Sequence, residues 1–402
     1  MTDPPLVFVT PWYGPEVPGG AEALARHTAE RLHQAGYDVS VMTTCLRDLY
    51  ADWNDNYHRP GVTTINGVPV HRFPVEAADR AAFDAVNARL IHGRPVDAAA
   101  ERAYVEEMFR APALYEAIAA RDDALFFFIP YLFATTVFGA QIHPQRSIVI
   151  PCLHDEAYAR LGVHRRVIPA ARGLVFNTAA EQRLAHRLFG RRPGRLEAVI
   201  GMGVEEQFAP DAARFRECYG VEEPFLLYAG RREVGKNTPL LLDYWGHYAA
   251  GRGPGAKLVL LGPNEVPIPA AAQPHVVDVG FVPAQDKWDA YAAATALCQP
   301  SLHESFSIVL LESWLAGTPA LVHGGCAVTR EHAQRGNGGL YFLTYEEFAA
   351  ALDLYFARPA LAARLGQQGR RYVQANFRWD VIVDKYRRLI AAAAPRRRRE
   401  RV

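Results

Sequence analysis

Strands and helices alternate along all 402 residues of this chain. The alternation predicts an α/β fold of two Rossmann-like, doubly wound domains. Three observations carry the prediction. The strand segments are continuous apolar runs rather than alternating ones, as expected of parallel strands covered on both faces. Each run is followed by a loop and a helical period. The whole pattern then restarts after EEPFLLYAGRR (222–232).

In the first half, LVFVT (6–10) reads as the opening strand, followed by the Pro- and Gly-rich loop PWYGPEVPGG. AEALARHTAERLHQAG (21–36) has helical spacing, with Leu24, Thr28, Leu32 and Ala35 on one face and Gly36 as the stop. YDVSVMTT (37–44), GVPVHRF (67–73), LFFFI (125–129), SIVIP (147–151) and GLVFN (173–177) continue the strand series. In the second half the strands are FLLYAG, AKLVLLG (256–262), VVDVG (276–280), ALCQPS (296–301) and PALVHG (319–324). LLLDYWGHYAA, SIVLLESWLAG and TYEEFAAALDLYFA (344–357) are their helices. The predicted organisation is a first domain over 1–205, a second over 206–376, a terminal helix over 377–394 and a basic tail, PRRRRERV, over 395–402. The tail is expected to be solvated, with contact to an anionic membrane as the alternative.

Bulk properties exclude several classes. A net charge of +1 gives no general attraction to nucleic acid. The five cysteines are scattered and form no CxxC pair, which argues against a disulfide framework or zinc knuckle and fits a reducing cytoplasm. The N-terminus lacks the basic and apolar regions of a signal peptide. Residues 124–145 carry no Asp, Glu, Lys or Arg, but Pro130, Gly139, Gln141, His143 and Pro144 interrupt them. They read as a buried strand, a loop and a buried helix rather than a membrane span.

Four stretches could carry chemistry. The loop PEVPGGAEA (15–23) lacks the GxGxxG dinucleotide fingerprint, which disfavours a dehydrogenase. Gly19 and Gly20 still place bare backbone N–H groups at a helix start, suited to a phosphate or sugar, or simply to a tight turn. In AGRREVGKN (229–237), Arg231 and Lys236 follow a strand at the carboxyl edge, where a guanidinium and an ammonium together suit a diphosphate. Only four of the 44 basic residues are lysines (Lys236, Lys257, Lys287 and Lys385), which gives Lys236 weight. Arg232 and Glu233 read as solvated loop charges. In HESFSIVLLE (303–312) the helix is expected to start near Ser305 to Ser307. Its free N–H groups at Phe306, Ser307 and Ile308 could hold a phosphate. Glu304 then precedes the helix and Glu312 lies two turns in, about 12 Å along the axis at ~1.5 Å per residue. That is too far for a close acid/base dyad; the two would hold different parts of one extended ligand, or be a helix-start and a core-edge carboxylate paired with Arg. In PCLHDEAY (151–158), His154 could position a substrate hydroxyl or be a structural histidine.

Taken in order, these stretches resemble the retaining GT-B glycosyltransferases of the family-4 type. The matching elements are the PGG loop at 18–20, Gly230-Arg231 with Lys236, and Glu304 with Glu312 as E-x7-E. VIGMGVEEQFAP (199–210) resembles the family's linker phrase, with Met202 where Asn is usual. VGFVP (279–283), containing Val282, resembles the turn beside the nucleotide base. ESFS (304–307) carries Ser307 where Gly is usual, and FRWDVIVDKYRRLI (377–390) resembles the closing helix.

The resemblance implies two Rossmann-like domains facing each other across a cleft, with the C-terminal helix crossing back to the first. It implies transfer of a sugar, with retention, from a nucleoside-diphosphate sugar (UDP- or GDP-sugar) to a hydroxyl acceptor, with no cofactor and no metal required. Arg231 and Lys236 would neutralise the departing diphosphate, and the backbone at Phe306, Ser307 and Ile308, with Gly19 and Gly20, would cradle it. Glu304 would hold the donor sugar, Glu312 the ribose, and His154 would lie near the reacting groups. A GT-B epimerase or phosphorylase, and a non-catalytic sugar-nucleotide-binding protein, are the alternatives. The acceptor is expected to be soluble and to contact the first domain, where 46–60 and 76–123 are helical or loop insertions.

Overall fold

The computed structural model describes residues 3–204, 209–251 and 255–393. The basic tail and part of the linker phrase lie outside them. The chain forms two compact units. One holds the described residues up to Gly203 and again from Asp380 onward; the other runs from Val204 to Trp379.

The first unit runs β1 (Leu6–Val9), α1 (Gly20–Gln34), β2 (Val39–Thr44), β3 (Gly61–Ile65) and β4 (Val68–Phe73). Then come the inserted helices α2 (Arg80–Ile91), α3 (Ala98–Glu106) and α4 (Pro112–Ala119). It continues with β5 (Leu125–Phe128), α5 (Ala134–Gly139), β6 (Ser147–Val149), α6 (His164–Ala170), β7 (Gly173–Phe176), α7 (Ala179–Phe189) and β8 (Leu196–Val199). These strands form one eight-stranded sheet in the order β3-β4-β2-β1-β5-β6-β7-β8. Every pair in it is parallel except β3–β4, an antiparallel edge hairpin. The predicted buried strand and helix within 124–145 are β5 and the short α5. No helix among the described residues is long and apolar enough to cross a membrane.

The second unit runs α8 (Ala212–Tyr219), β9 (Phe225–Ala229), α9 (Thr238–Gly251), β10 (Lys257–Leu261), β11 (Val276–Gly280), α10 (Ala284–Ala293) and β12 (Ala296–Gln299). It ends with α11 (Ile308–Leu315), β13 (Ala320–His323), α12 (Ala327–Gly336), β14 (Gly339–Phe342), α13 (Tyr345–Ala357) and α14 (Pro359–Asn376). Its six strands are all parallel, in the order β11-β10-β9-β12-β13-β14. β9 shows why its run is apolar throughout. Leu226 and Tyr228 enter one core cluster, while Phe225, Leu227 and Ala229 enter the cluster on the other face. The sheet is therefore wound on both sides. The chain leaves β9 toward β10 and β11, then returns to place β12 on β9's other flank. The loops after β9 and β12 thus flank the topological switch point, where such sheets bind ligands.

The final helix, α15 (Trp379–Ala393), rejoins the first unit from Asp380. Ile382, Tyr386, Leu389 and Ile390 are buried. The Tyr386 ring meets Phe127 of β5 edge-on at 6.1 Å. Lys385 donates to the Ile200 carbonyl at 3.2 Å, and Arg172 donates to the Ala393 carbonyl at 2.7 Å.

Candidate functional site

The two loops at the second unit's switch point are stitched together. After β9, Gly230 turns the chain with φ 146°, and the Tyr228 hydroxyl donates to the Arg231 carbonyl at 2.5 Å. A short 3-10 turn, Val234–Lys236, ends at Asn237, whose φ of 58° is left-handed. Asn237 Nδ2 donates to the Pro300 carbonyl at 3.0 Å, and Ser301 Oγ donates to the Lys236 carbonyl at 3.4 Å. These bonds tie the loop after β9 to the loop after β12. Lys236 Nζ thereby meets Glu304 Oε1 at 2.7 Å. The predicted cation and the predicted carboxylate touch.

Around them, Arg231 lies 3.4 Å from Glu233, with about a third of its side chain exposed (36%). Arg232 departs from its expected role as a solvated charge. It is buried and ion-paired with Asp278 of β11, so it ties the β9 loop to the neighbouring strand. Gln299, the last residue of β12, is 4% exposed. Its Nε2 lies 3.3 Å from both Glu304 Oε1 and Ser307 Oγ.

The helix start differs in detail from expectation. α11 begins at Ile308, with Ser307 before it at φ 67°. A left-handed residue cannot be a helical one, so Ser305 to Ser307 belong to the loop. Glu312 is consequently the fifth helical residue, about one turn in rather than two. The left-handed φ also accounts for a glycine preference at position 307, since a side chain there is strained. Phe306 is buried and meets His332 and Phe377 edge-on, which anchors the loop. The N–H groups that open α11 lie directly after Ser307.

Glu312 is paired separately from Glu304. Lys287 of α10 donates to both its oxygens at 2.9 Å, and the Tyr291 hydroxyl donates to Oε2 at 2.9 Å. The partner is a lysine rather than the expected arginine. Two of the chain's four lysines therefore sit on the two glutamates of E-x7-E. Burial, then the Glu312 charge, raises the Tyr291 hydroxyl far above its ordinary range, so it stays a donor. Val282 is partly buried in the core beside α10, while its neighbour Phe281 is 82% exposed. Lys287, Tyr291 and Gln299 contact the candidate residues, and motif spacing does not single them out. The scarcity of lysine was a signal available for Lys287.

The remaining candidates belong to the first unit. Gly19 caps α1 at φ 130°, and a Cβ there would lie 2.1 Å from Glu22 Oε2. The positive φ favours glycine there, and a side chain would also have to displace this carboxylate, which accepts from Trp12 Nε1 at 2.8 Å. The helix start that Gly20 opens is met by an acidic side chain of its own first turn, a favourable place for one. His154 lies in the loop after β6, with Nδ1 3.4 Å from Glu156. That loop is held by the buried Glu181 of α7, which accepts from the N–H groups of Leu153 at 2.7 Å and Asn177 at 2.6 Å. Burial raises the Glu181 carboxyl to about 7, against the lowering effect of those bonds.

Comparison with known proteins agrees with this architecture. The family described as "Glycosyl transferases group 1" matches residues 212–372. D-inositol 3-phosphate glycosyltransferase of Rhodococcus erythropolis is 28% identical over 261 residues, 58% of this chain and 57% of that protein. The enzyme of the same name from Saccharomonospora viridis is 31% identical over 265 residues, 59% of this chain and 60% of its own length. The chain thus spans less than two thirds of the length of these relatives. Among solved structures, sucrose-phosphate synthase from Thermosynechococcus elongatus superposes with a TM-score of 0.70 at 19% identity, over 97% of this chain and 100% of that one. Anabaena HepE, solved in complex with UDP and glucose, gives 0.67 at 17% identity over the same shares. In fold the chain is a GT-B protein with two Rossmann-like units. Its second unit carries the match to the group 1 glycosyltransferase domain, over residues 212–372.

Proposed function

We propose that this protein is a retaining glycosyltransferase. It moves a sugar from a nucleoside-diphosphate sugar, UDP- or GDP-linked, to a hydroxyl of a soluble small-molecule or glycan acceptor, in the cytoplasm and without a required metal. The observation that carries the reading is the meeting of Lys236 and Glu304 at the switch point, beside Arg231 and the start of α11. A diphosphate needs fixed positive groups, and a sugar needs a fixed acceptor for its hydroxyls. Both kinds of group stand together here.

In the proposed reaction, Arg231, Lys236 and the opening N–H groups of α11 neutralise the β-phosphate. The bond from the sugar's anomeric carbon to the phosphate oxygen breaks, and the electron pair leaves with the diphosphate. These groups are worth most when that charge develops. The acceptor oxygen bonds to the same face of the anomeric carbon, and its proton passes to the departing phosphate. Glu304 holds sugar hydroxyls, Glu312 holds the ribose, and His154 and Gly20 serve the acceptor and phosphate sides. The names of the relatives suggest inositol phosphates as the first acceptors to try.

The test is direct. Melting temperature is measured with UDP, GDP and their sugars, and the stabilising donor is then incubated with an acceptor panel that includes inositol phosphates. Free nucleoside diphosphate and glycosylated product should form together, and Arg231→Ala should nearly abolish both while the fold survives. Turnover by Arg231→Ala at the wild-type rate would sink the assignment.

A further inference from the structure

We infer that Lys236 changes partner on donor binding, moving from Glu304 to the β-phosphate, and that Gln299 keeps Glu304 in place when it does. The inference rests on the donor-binding reading above. It starts from a conflict. Glu304 Oε1 is occupied by the Lys236 ammonium at 2.7 Å, and Glu304's side chain is 10% exposed. Pairing partly neutralises each charge, which weakens the carboxylate as an acceptor for sugar hydroxyls and the ammonium as a clamp for a phosphate. Each group's proposed ligand therefore competes with the other member of the pair for it.

The second observation is Gln299. It is 4% exposed, and its Nε2 reaches both Glu304 Oε1 and Ser307 Oγ at 3.3 Å. Its Oε1 is buried and has no hydrogen-bond partner. A buried amide carbonyl without a partner is costly, so Gln299 is kept in the core at a cost that its N–H contacts to Glu304 and Ser307 must offset. The Gln299 N–H would hold the carboxylate meanwhile, so Glu304 is not left loose when Lys236 departs.

The exchange has an asymmetric consequence. A full nucleotide sugar replaces both halves of the pair: phosphate takes Lys236, and sugar hydroxyls take Glu304. A bare nucleoside diphosphate takes Lys236 and leaves Glu304 without a partner for its charge. The internal pair therefore opposes binding of the sugarless nucleotide more than binding of the donor. Release of spent nucleoside diphosphate is favoured, because Glu304 recaptures Lys236 once the sugar has gone. A nucleoside monophosphate, lacking the β-phosphate, does not recruit Lys236 at all.

The experiment is calorimetric titration of the full chain with UMP, UDP, GMP and GDP, for wild type and Glu304→Gln. Glutamine keeps the shape and removes the charge that holds Lys236. Glu304→Gln should bind the preferred nucleoside diphosphate roughly fivefold to tenfold tighter, the gain expected from relieving a competing pair worth about 1 to 1.4 kcal/mol. Monophosphate affinity should not change, and sugar transfer should fall. Gln299→Met is the second variant: diphosphate affinity should stay within twofold of wild type while KM for the nucleotide sugar rises. Unchanged or weaker diphosphate binding by folded Glu304→Gln, or an equal gain for the monophosphate, overturns the exchange alone. Failure of wild type to bind any nucleoside diphosphate overturns the donor-binding reading and the exchange with it.

Discussion

Replacing Lys236 with methionine separates what the Lys236–Glu304 pair does for folding from what it does for transfer. The pair is neither surface nor core: its side chains are 22% and 10% exposed. Exposed pairs contribute about 0 to 1 kcal/mol, and breaking buried ones costs about 3 to 5 kcal/mol, so an intermediate loss of about 2 kcal/mol is expected. For a unit the size of Val204–Trp379 that corresponds to a fall in Tm of roughly 4 to 8 °C. Most of it reflects Glu304 left without its counterion, still bonded to Gln299. The double variant Lys236→Met/Glu304→Gln removes that lone charge and should recover most of the stability. Transfer behaves differently. On the proposed reading Lys236 stabilises charge on the leaving phosphate, and loss of one such group costs about 3 kcal/mol, at least ~100-fold in rate. The double variant should not recover it. Thermal unfolding and chromatographic measurement of released nucleoside diphosphate read the two effects separately. Recovery of transfer in the double variant, or transfer by Lys236→Met within threefold of wild type, would refute the reasoning.

Two further outcomes follow from other contacts. Glu312→Gln weakens the acceptor held by Lys287 and Tyr291; on the proposed reading, in which Glu312 holds the donor's ribose away from the reacting carbon, KM for the donor should rise about tenfold with kcat within about threefold. An equal loss in kcat would place Glu312 elsewhere. The second outcome concerns acid stability. Burial lowers His164 to about 3, and burial with the Arg335 charge lowers His332 to about 4, from an ordinary 6.5. Both are neutral in the folded chain, so the unfolded chain gains protons first as pH falls. Stability is present above pH 6.5 and is lost below it, about 2 kcal/mol per histidine by pH 5. Both ring nitrogens of His164 are buried without hydrogen-bond partners, and Tyr131 packs edge-on against the ring at 4.8 Å. Denaturant unfolding of His164→Leu at pH 8 and pH 5 should show a correspondingly smaller drop; an unchanged drop would exclude His164 as a source of acid lability.

The alternation of buried strands and helices was legible because each core strand is apolar on both faces, as β9 shows. β3 was not, because it is an exposed edge strand with a mixed sequence. Its cue lay instead in Asn66-Gly67, which join β3 to β4 with left-handed φ values of 49° and 87°. That dipeptide is a hairpin signal. β8 and β14 are short strands that the apolar-run criterion also passed over. At the site, Arg231, Lys236, Glu304 and Glu312 follow from local spacing. Their partners do not. Lys287 reaches Glu312 because α10 lies against α11, and Gln299 reaches Glu304 because the chain doubles back through a left-handed Ser307. Those are tertiary facts. The burial of Arg232 is of the same kind: its partner, Asp278, stands on a strand 46 residues away.

The return of residues from Asp380 onward to the first unit makes the second unit an insertion in the first. A ribosome therefore finishes the second unit before it has delivered the last piece of the first. Until Ile382, Tyr386 and Ile390 emerge, the part of the first unit that packs on them, including Phe127, lacks its cover. Shortening the chain before Asp380 would spare the six-stranded sheet and strip the eight-stranded one, although the cut lies beyond both.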